Sequence, residues 1–241
     1  MIHPGVQKGY LSLCVTMLFC DGRTHLSEMS VRAVIPFKPV NPKTRLSPTL
    51  NKEERETFAQ VMLRDVIDAV QSAGAVPTIL STHPFTCPDA DVEVASGGLN
   101  DTLNCYFGRN NQAVLLVMAD LPLATPESLL RMMNTNADIA IVPGRGGGTN
   151  SLFLKDPQKF RADFYGASFL KHMQIATEFG RSVEVVDSFR LHTDIDERDD
   201  LVEVLIHNNG VTRDYLVSLG FSLVTEHGRV GVKRDPHKQA F

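Results

Sequence analysis

Residues 113–120, AVLLVMAD, run unbroken through apolar side chains until they meet Asp120. A run of strand length with no polar face must be covered on both sides, which is the position of a central strand in a parallel sheet flanked by helices. The surrounding chain fits this placement. A first strand is predicted from Val31. NKEERETFAQVMLRDVIDAVQSAG (51–74) reads as a helix with Asn51 as its cap and Glu54 three residues on. Phe58, Met62, Val66, Ala69 and Val70 line one face, and Gly74 closes it. Strand signals recur at 76–82, 92–96, 138–144 and 182–188. Helix signals fall at 101–107, at 125–134 with Pro126 behind a Thr125 cap, and at 169–180. Strands alternating with helices predict right-handed βαβ units and an α/β fold, a mostly parallel sheet with helices on both faces.

The end of the chain breaks this rhythm. Helices are expected over 198–207 and 213–219, and SLVTEHGRVGVKR (222–234) reads as a hairpin turning near His227–Gly228. The expected organisation is therefore a main domain over 31–205, a helix-and-hairpin appendage over 206–234 and a tail over 235–241. Residues 1–30 stand apart. YLSLCVTMLFC (10–20) is too short to span a bilayer as a helix and lacks a small-residue cleavage site. We read 1–30 as a poorly ordered leader or a mis-assigned start, with Met29 offering an alternative beginning.

A chain of 241 residues with 43% hydrophobic and 22% charged residues can bury a full core. Its formal charge of -4 gives no general field for nucleic acid or an acidic membrane, so neither is expected as a partner. Cys14, Cys20, Cys87 and Cys105 have no zinc-ligand or CxxC spacing. That favours reduced thiols and a cytoplasmic location.

Against this acidic background, VIPFKPVNPKTRLSPTL (34–50) has no acidic residue and no glycine. Pro36, Pro39 and Pro42 frame Lys38, Lys43 and Arg45 directly after the first strand. Ligands in open α/β sheets bind at the carboxyl ends of the strands. Cations held on a stiff loop there suit a polyphosphate, because little entropy is lost on binding; the competing reading is a solvated turn. The same rim collects GGLN (97–100), Asp120, GRGGGTN (144–150) and HTDIDERDD (192–200).

Asp120 at the end of an apolar strand is costly unless it caps a turn or holds a cation, Mg2+ being the cation a carboxylate and phosphates would share. Asp194 or Asp196 supplies a second carboxylate, while its neighbours Glu197, Asp199 and Asp200 suit a helix N-terminus. Arg145 and Thr149 in the glycine run, and Gly166 and Ser168 ahead of the next helix, offer donors for an anionic substrate. His172 reads as an ordinary helix residue. No GxxxxGK[ST], GxSxG, HExxH or GxGxxG motif is present.

Taken in order, VIPFKPVNPKTRLSPTLNKEER, GGLNDTLN, MADLPL, GGGTNSLFL, FYGASFLKH and HTDIDERDDL resemble the archaeal 2-phospho-L-lactate guanylyltransferase family. That family lies within the glycosyltransferase-A-like, nucleotide-diphospho-sugar transferase-like (Rossmann-like) nucleotidyltransferases. The resemblance implies transfer of GMP from GTP to 2-phospho-L-lactate in coenzyme F420 biosynthesis, with Mg2+ as cofactor and a homodimer as the assembly. It further implies that Lys38, Lys43 and Arg45 meet the GTP phosphates, with Lys43 and Asp120 the catalytic pair. Leu99 and Asn100 would lie by the nucleoside, and Asp120 with Asp196 (or Asp194) on the metal. Arg145, Thr149, Gly166 and Ser168 would lie on the acceptor. The prolines here depart from the glycine-rich first loop of the wider group, so side chains must replace some backbone donors. Phosphoenolpyruvate or another phosphorylated acceptor, and a non-catalytic nucleotide sensor, stand as alternatives.

Overall fold

A computed structural model describes residues 31–226 and 228–235. The expected leader lies outside these residues, as do His227 and most of the expected tail. The elements run β1 (Arg32–Phe37), α1 (Lys52–Ser72), β2 (Val76–Ser81), β3 (Asp91–Val94), α2 (Leu99–Arg109), β4 (Val114–Val117) and α3 (Pro126–Met133). They continue with β5 (Ile139–Pro143), β6 (Thr149–Leu154), α4 (Ser168–Glu178), β7 (Val183–Val185), α5 (Phe189–His192), α6 (Leu201–His207), α7 (Val211–Ser218), β8 (Phe221–Glu226) and β9 (Arg229–Arg234).

The main sheet has the order β3-β2-β1-β4-β6-β5-β7. The chain steps outward from β1 to β3 and then returns to β4 on the other side of β1, so the strand order reverses between β1 and β4. In such sheets a crevice opens at that reversal. β4 behaves as its sequence demands. Leu115 and Val117 join the core under α1 and α3, Val114 and Leu116 join the opposite core under α2 and α4, and all four are fully buried. The helix ends follow their caps: Asn51 Oδ1 accepts from Glu54 N while Glu54 Oε2 accepts from Asn51 N, each at 2.9 Å.

One strand was not legible in advance. β6 lies antiparallel between β4 and β5. Its residues TNSLFL are all buried, and the glycine run before them forms the connection from β5. Because β6 runs against its neighbours, its start, not its end, lies on the rim with the ends of β1 and β4. Thr149 therefore reaches the crevice side by a different route from the other candidates.

α7 packs against α1, α6 and the β8–β9 hairpin pack on α7 and on each other, and all share one core through Leu201, Val204, Leu216, Phe221 and Val232. The fastening is polar and specific. Asp65 on α1, largely buried, accepts from Asn208 Nδ2 at 2.9 Å and from the first amides of α7, Val211 N at 3.0 Å and Thr212 N at 3.1 Å. It caps a helix to which it is not adjacent in sequence. A Cβ on Gly210 would lie 2.3 Å from Asp65 Oδ1, so the carboxylate occupies the space that any larger residue would need.

Asp65→Asn should therefore lower stability by about 2 kcal/mol, the loss of charge-assisted bonds to a helix N-terminus. Gly210→Ala should do comparable damage through the clash. Urea denaturation of both variants checks this, and a midpoint unchanged in either would remove the anchor role.

Candidate active site

The loop after β1 ends in a single 3-10 turn over Thr44–Leu46, entered through two residues in the left-handed region, Asn41 (φ 46) and Lys43 (φ 49). Neither is glycine, so each conformation is costly and must be held from outside. Arg55 Nη2 donates to Asn41 Oδ1 at 2.9 Å, and Asn41 N donates to Glu56 Oε1 at 3.0 Å. The start of α1 thus fixes the loop.

So held, Lys43 sends its ammonium to Asp120 Oδ2 and Asp196 Oδ1, each at 2.6 Å. Asp196 reaches this point through an extended stretch: Ile195 N donates to Asp120 O at 3.1 Å, Ile195 is buried, and Asp194 and Asp196 flank it. Arg45 is more exposed and meets Asp196 Oδ2 at 3.3 Å. Burial works against the charge of Lys43, but the two carboxylates outweigh it and raise its pKa above the ordinary value. Burial likewise pushes Asp196 up, and Lys43, Arg45 and Arg145 more than reverse it, leaving its carboxyl below the usual range. Asp194 moves the other way, raised by burial and by the charge of Asp120; Asn150 Nδ2 reaches its Oδ1 at 3.4 Å.

Asp200 takes the capping work in this acidic segment, accepting from Asp196 N and Glu197 N at 2.8 Å each. Arg145 binds it at 2.8 Å and also donates to Asp194 O at 3.0 Å. Arg145 thus ties the turn after β5 to the acidic segment.

A cleft of about 290 Å³ opens over this ion cluster, walled by Pro36, Lys38, Arg45, Met62, Met118 and Asp120. It continues into an apolar pocket of about 300 Å³ walled by Phe37, Lys38, Leu80, Ala95, Leu99 and Met118. Lys38 borders both and has no ion-pair partner among the described residues. Leu99 lines the apolar pocket. Asn100 does not line that pocket: its Oδ1 accepts from Phe164 N at 2.8 Å. Asn104, one helical turn on, exchanges bonds with Ala162 O (3.1 Å) and Ala162 N (2.7 Å). α2 thereby fastens the segment that leads to Gly166.

Gly166 (φ 66) makes the turn into α4, where Ser168 is the first residue. Ser168 and Thr149 are brought together, 3.3 Å between hydroxyls, and both are buried beside His172. His172 Nδ1 lies 2.9 Å from Thr149 Oγ1, and its Nε2 accepts from Asp163 N at 3.0 Å. No periodicity marked this histidine. The only hint in the sequence was a polar residue on the buried face of a short helix.

Two carboxylates whose oxygens converge on one cation offer hard donors of the kind Mg2+ takes. Among the described residues no group of three or more His, Cys, Asp or Glu side chains could hold a metal alone. A Mg2+ ion here would need phosphate oxygens to complete its shell, which is its usual manner of binding with nucleotides.

A family model described as guanylyl transferase CofC like matches residues 31–235. The 2-phospho-L-lactate guanylyltransferase of Methanoculleus marisnigri is 57% identical over 214 residues, covering 88% of this chain and 100% of that protein. The Methanosarcina mazei protein of the same name is 46% identical over 208 residues, covering 84% of this chain and 99% of its own length. Among solved structures, a protein assigned as a nucleotide-diphospho-sugar transferase from Desulfovibrio desulfuricans G20 superposes with a TM-score of 0.64 at 16% identity, covering 78% of this chain and 94% of its own. A nucleotidyl transferase from Methanothermobacter does so with 0.52 at 16% identity, covering 78% and 98%. At these identities the two structures are similar in fold alone.

Burial among Phe160, Phe164 and Thr149 lowers the His172 pKa from 6.5 to about 4, with nearby Asp163 opposing the shift and Lys171 adding to it. Between those pH values the unfolded chain binds a proton that the folded chain refuses. Stability contributed by the neutral ring is complete above about 6.5 and is lost as pH falls towards 4, by about 3 kcal/mol at most. Urea unfolding from pH 7 to 4 should show this slope in the wild type and a shallower one in His172→Asn.

Proposed function

The chain belongs to the CofC-like guanylyl transferase family, and from that premise we propose that it transfers GMP from GTP to 2-phospho-L-lactate. The products are lactyl-2-diphospho-5′-guanosine and pyrophosphate, a step in making coenzyme F420. The observation that carries the reading is the convergence of Lys43, Asp120 and Asp196 beneath a cleft that opens into an apolar pocket at the β1–β4 reversal. The pocket by Leu99 suits the nucleoside and the cleft by Lys38, Lys43 and Arg45 the triphosphate.

The chemistry asks for no protein nucleophile. A phosphate monoester is largely dianionic at neutral pH. One of its oxygens forms a bond to the α-phosphorus of GTP as the bond from that phosphorus to the bridging oxygen breaks. The electron pair leaves with pyrophosphate. The protein's part is alignment and the stabilisation of charge gathering on the leaving group. Lys38 and Arg45 reach the cleft as cations, and Lys43 is held at its floor. Asp120 and Asp196 would hold Mg2+, which supplies further charge stabilisation when bound. Thr149, Ser168 and the Gly166 turn, with Arg145 nearby, offer donors to a compact acid bearing a phosphate and a carboxylate.

A homodimer working in the cytoplasm completes the reading. A cytoplasmic site fits the use of GTP and the free thiols of Cys87 and Cys105. Among the described residues, no helix is long and apolar enough to cross a membrane. The dimer is supported by Phe189 and Ile206, exposed apolar side chains on neighbouring elements, and light scattering on the purified protein checks it.

Pyrophosphate release from GTP, followed with 2-phospho-L-lactate, phosphoenolpyruvate or neither, tests the assignment. Release is expected with the first acid, at the highest kcat/KM, and none without an acceptor. A preference for phosphoenolpyruvate would overturn the acceptor and leave the transfer standing. EDTA should abolish the activity and excess Mg2+ restore it. The ion pairs also rank the cations. Lys43→Ala leaves two carboxylates facing each other and should lower kcat/KM by roughly tenfold or more, whereas exposed Arg45→Ala should cost only a few-fold. Equal losses would overturn the ranking, and unchanged kinetics in both variants would show that the loop does not bind the triphosphate.

A further inference from the structure

His172 stands outside every role assigned so far, although it bonds to Thr149, a residue placed at the acceptor. Its Nε2 faces the amide of Asp163 at 3.0 Å, and a backbone N–H can only donate. A proton on Nε2 would set two donors against each other in a buried place. The neutral ring is therefore the tautomer with its proton on Nδ1. Burial keeps it neutral, with a pKa near 4.

That proton points at Thr149 Oγ1, 2.9 Å away. Thr149 and Ser168 then have two hydroxyl protons and one bond between them to make, at 3.3 Å. Whichever hydroxyl donates in that bond, the other's proton has no acceptor within the trio. With the opposite tautomer the count changes. Thr149 would donate to Nδ1 and Ser168 to Thr149, leaving no proton over. The ring's tautomer thus decides whether the pair presents a hydrogen-bond donor or none. The pair lies at the start of β6 and of α4, next to Gly166 and to the Gly147 turn. A Cβ on Gly147 would come within 3.8 Å of Ala167 Cβ, so the two loops close on one spot.

We infer that His172 is a positioning residue for the acceptor: by donating from Nδ1 to Thr149, it turns the Thr149–Ser168 pair into a neutral hydrogen-bond donor for an anionic oxygen of the phospho acid. This rests on the acceptor-site reading given above. The ring does not touch the acceptor and moves no proton.

Two substitutions separate the polarity of the ring from its bulk. The amide nitrogen of His172→Asn lies where Nδ1 was and can still donate to Thr149. The longer His172→Gln places its amide at the Nε2 position and can hold Asp163 N–H, but leaves Thr149 without its donor. Both lose the ring's packing on Phe160 and Phe164. With the phospho acid that the wild type uses best, the Gln variant should raise the acceptor KM by roughly tenfold, the Asn variant by about twofold or less, and neither should move the GTP KM. Equal changes in the two variants would overturn the inference, because packing alone predicts them. The tautomer can also be read directly, in nitrogen-15 spectra of the ring in the intact wild-type protein. An Nδ1–H ring is expected, and an Nε2–H ring would overturn the inference even if neither variant folds. A wild type that turns over GTP with no phospho acid would instead sink the transfer reading, and the ring spectrum would still decide the tautomer.

Discussion

One buried ammonium group joins three distant parts of the chain. Lys43 belongs to the loop after β1, Asp120 lies 77 residues on in the turn after β4, and Asp196 lies 153 residues on in the segment after α5. Without a cation between them, the two carboxylates would face each other across a few ångströms. With it they converge, and the crevice at the strand reversal acquires a floor. Removing one member of such a cluster leaves an uncompensated charge in a poorly hydrated place. The same cluster is therefore a constraint on the fold and the centre of its chemistry.

Lys43 reaches that position through a loop that α1 restrains. Two non-glycine residues in the left-handed region cost on the order of 1–3 kcal/mol each, and Arg55 and Glu56 restrain the nearer one, Asn41. The C-terminal hairpin fastens to the same helix end, where Arg234 Nη1 donates to Glu54 Oε2 at 3.0 Å and to Thr49 O at 3.1 Å. Asp65, further along α1, caps α7. The appendage therefore stiffens the helix that stiffens the loop, and so bears on the site without lining it.

What could be read from the sequence followed from how local its cause is. The helix over 51–74 announced itself because its caps and its apolar stripe are spaced within a few residues, and β4 because an unbroken apolar run has few places to go. The basic loop and Asp120 were visible as chemistry at odds with its surroundings: cations in an acidic chain, and a carboxylate ending an apolar strand. β6 was missed because TNSLFL is short and borders a glycine run that reads as loop, and its burial comes entirely from β4 and β5 on either side. Asn100 was set beside the nucleoside by the family resemblance alone. Its side-chain oxygen accepts from a backbone amide 64 residues away, a partner that no local pattern encodes.

The two regions proposed to hold the substrates' anions differ in what they offer. The cleft gathers full charges, Lys38, Lys43 and Arg45, against two carboxylates. The region proposed for the acceptor offers chiefly neutral groups, the hydroxyls of Thr149 and Ser168 around a ring that burial keeps uncharged, while Arg145 is engaged by Asp200 and Lys171 by Asp163. With the substrates seated as proposed, one phosphate attacking and another leaving, that asymmetry has a direction. Cations at the leaving end stabilise charge that grows as pyrophosphate departs. Neutral donors at the other end can orient the attacking acid with little withdrawal of charge from the oxygen that must form the bond. α2 couples the two regions, since Leu99 walls the apolar pocket while Asn100 and Asn104 hold the segment on which His172 depends. A shift of that helix would disturb both regions at once, which makes its burial with β4 through Leu103 and Phe107 a determinant of their alignment as well as of stability.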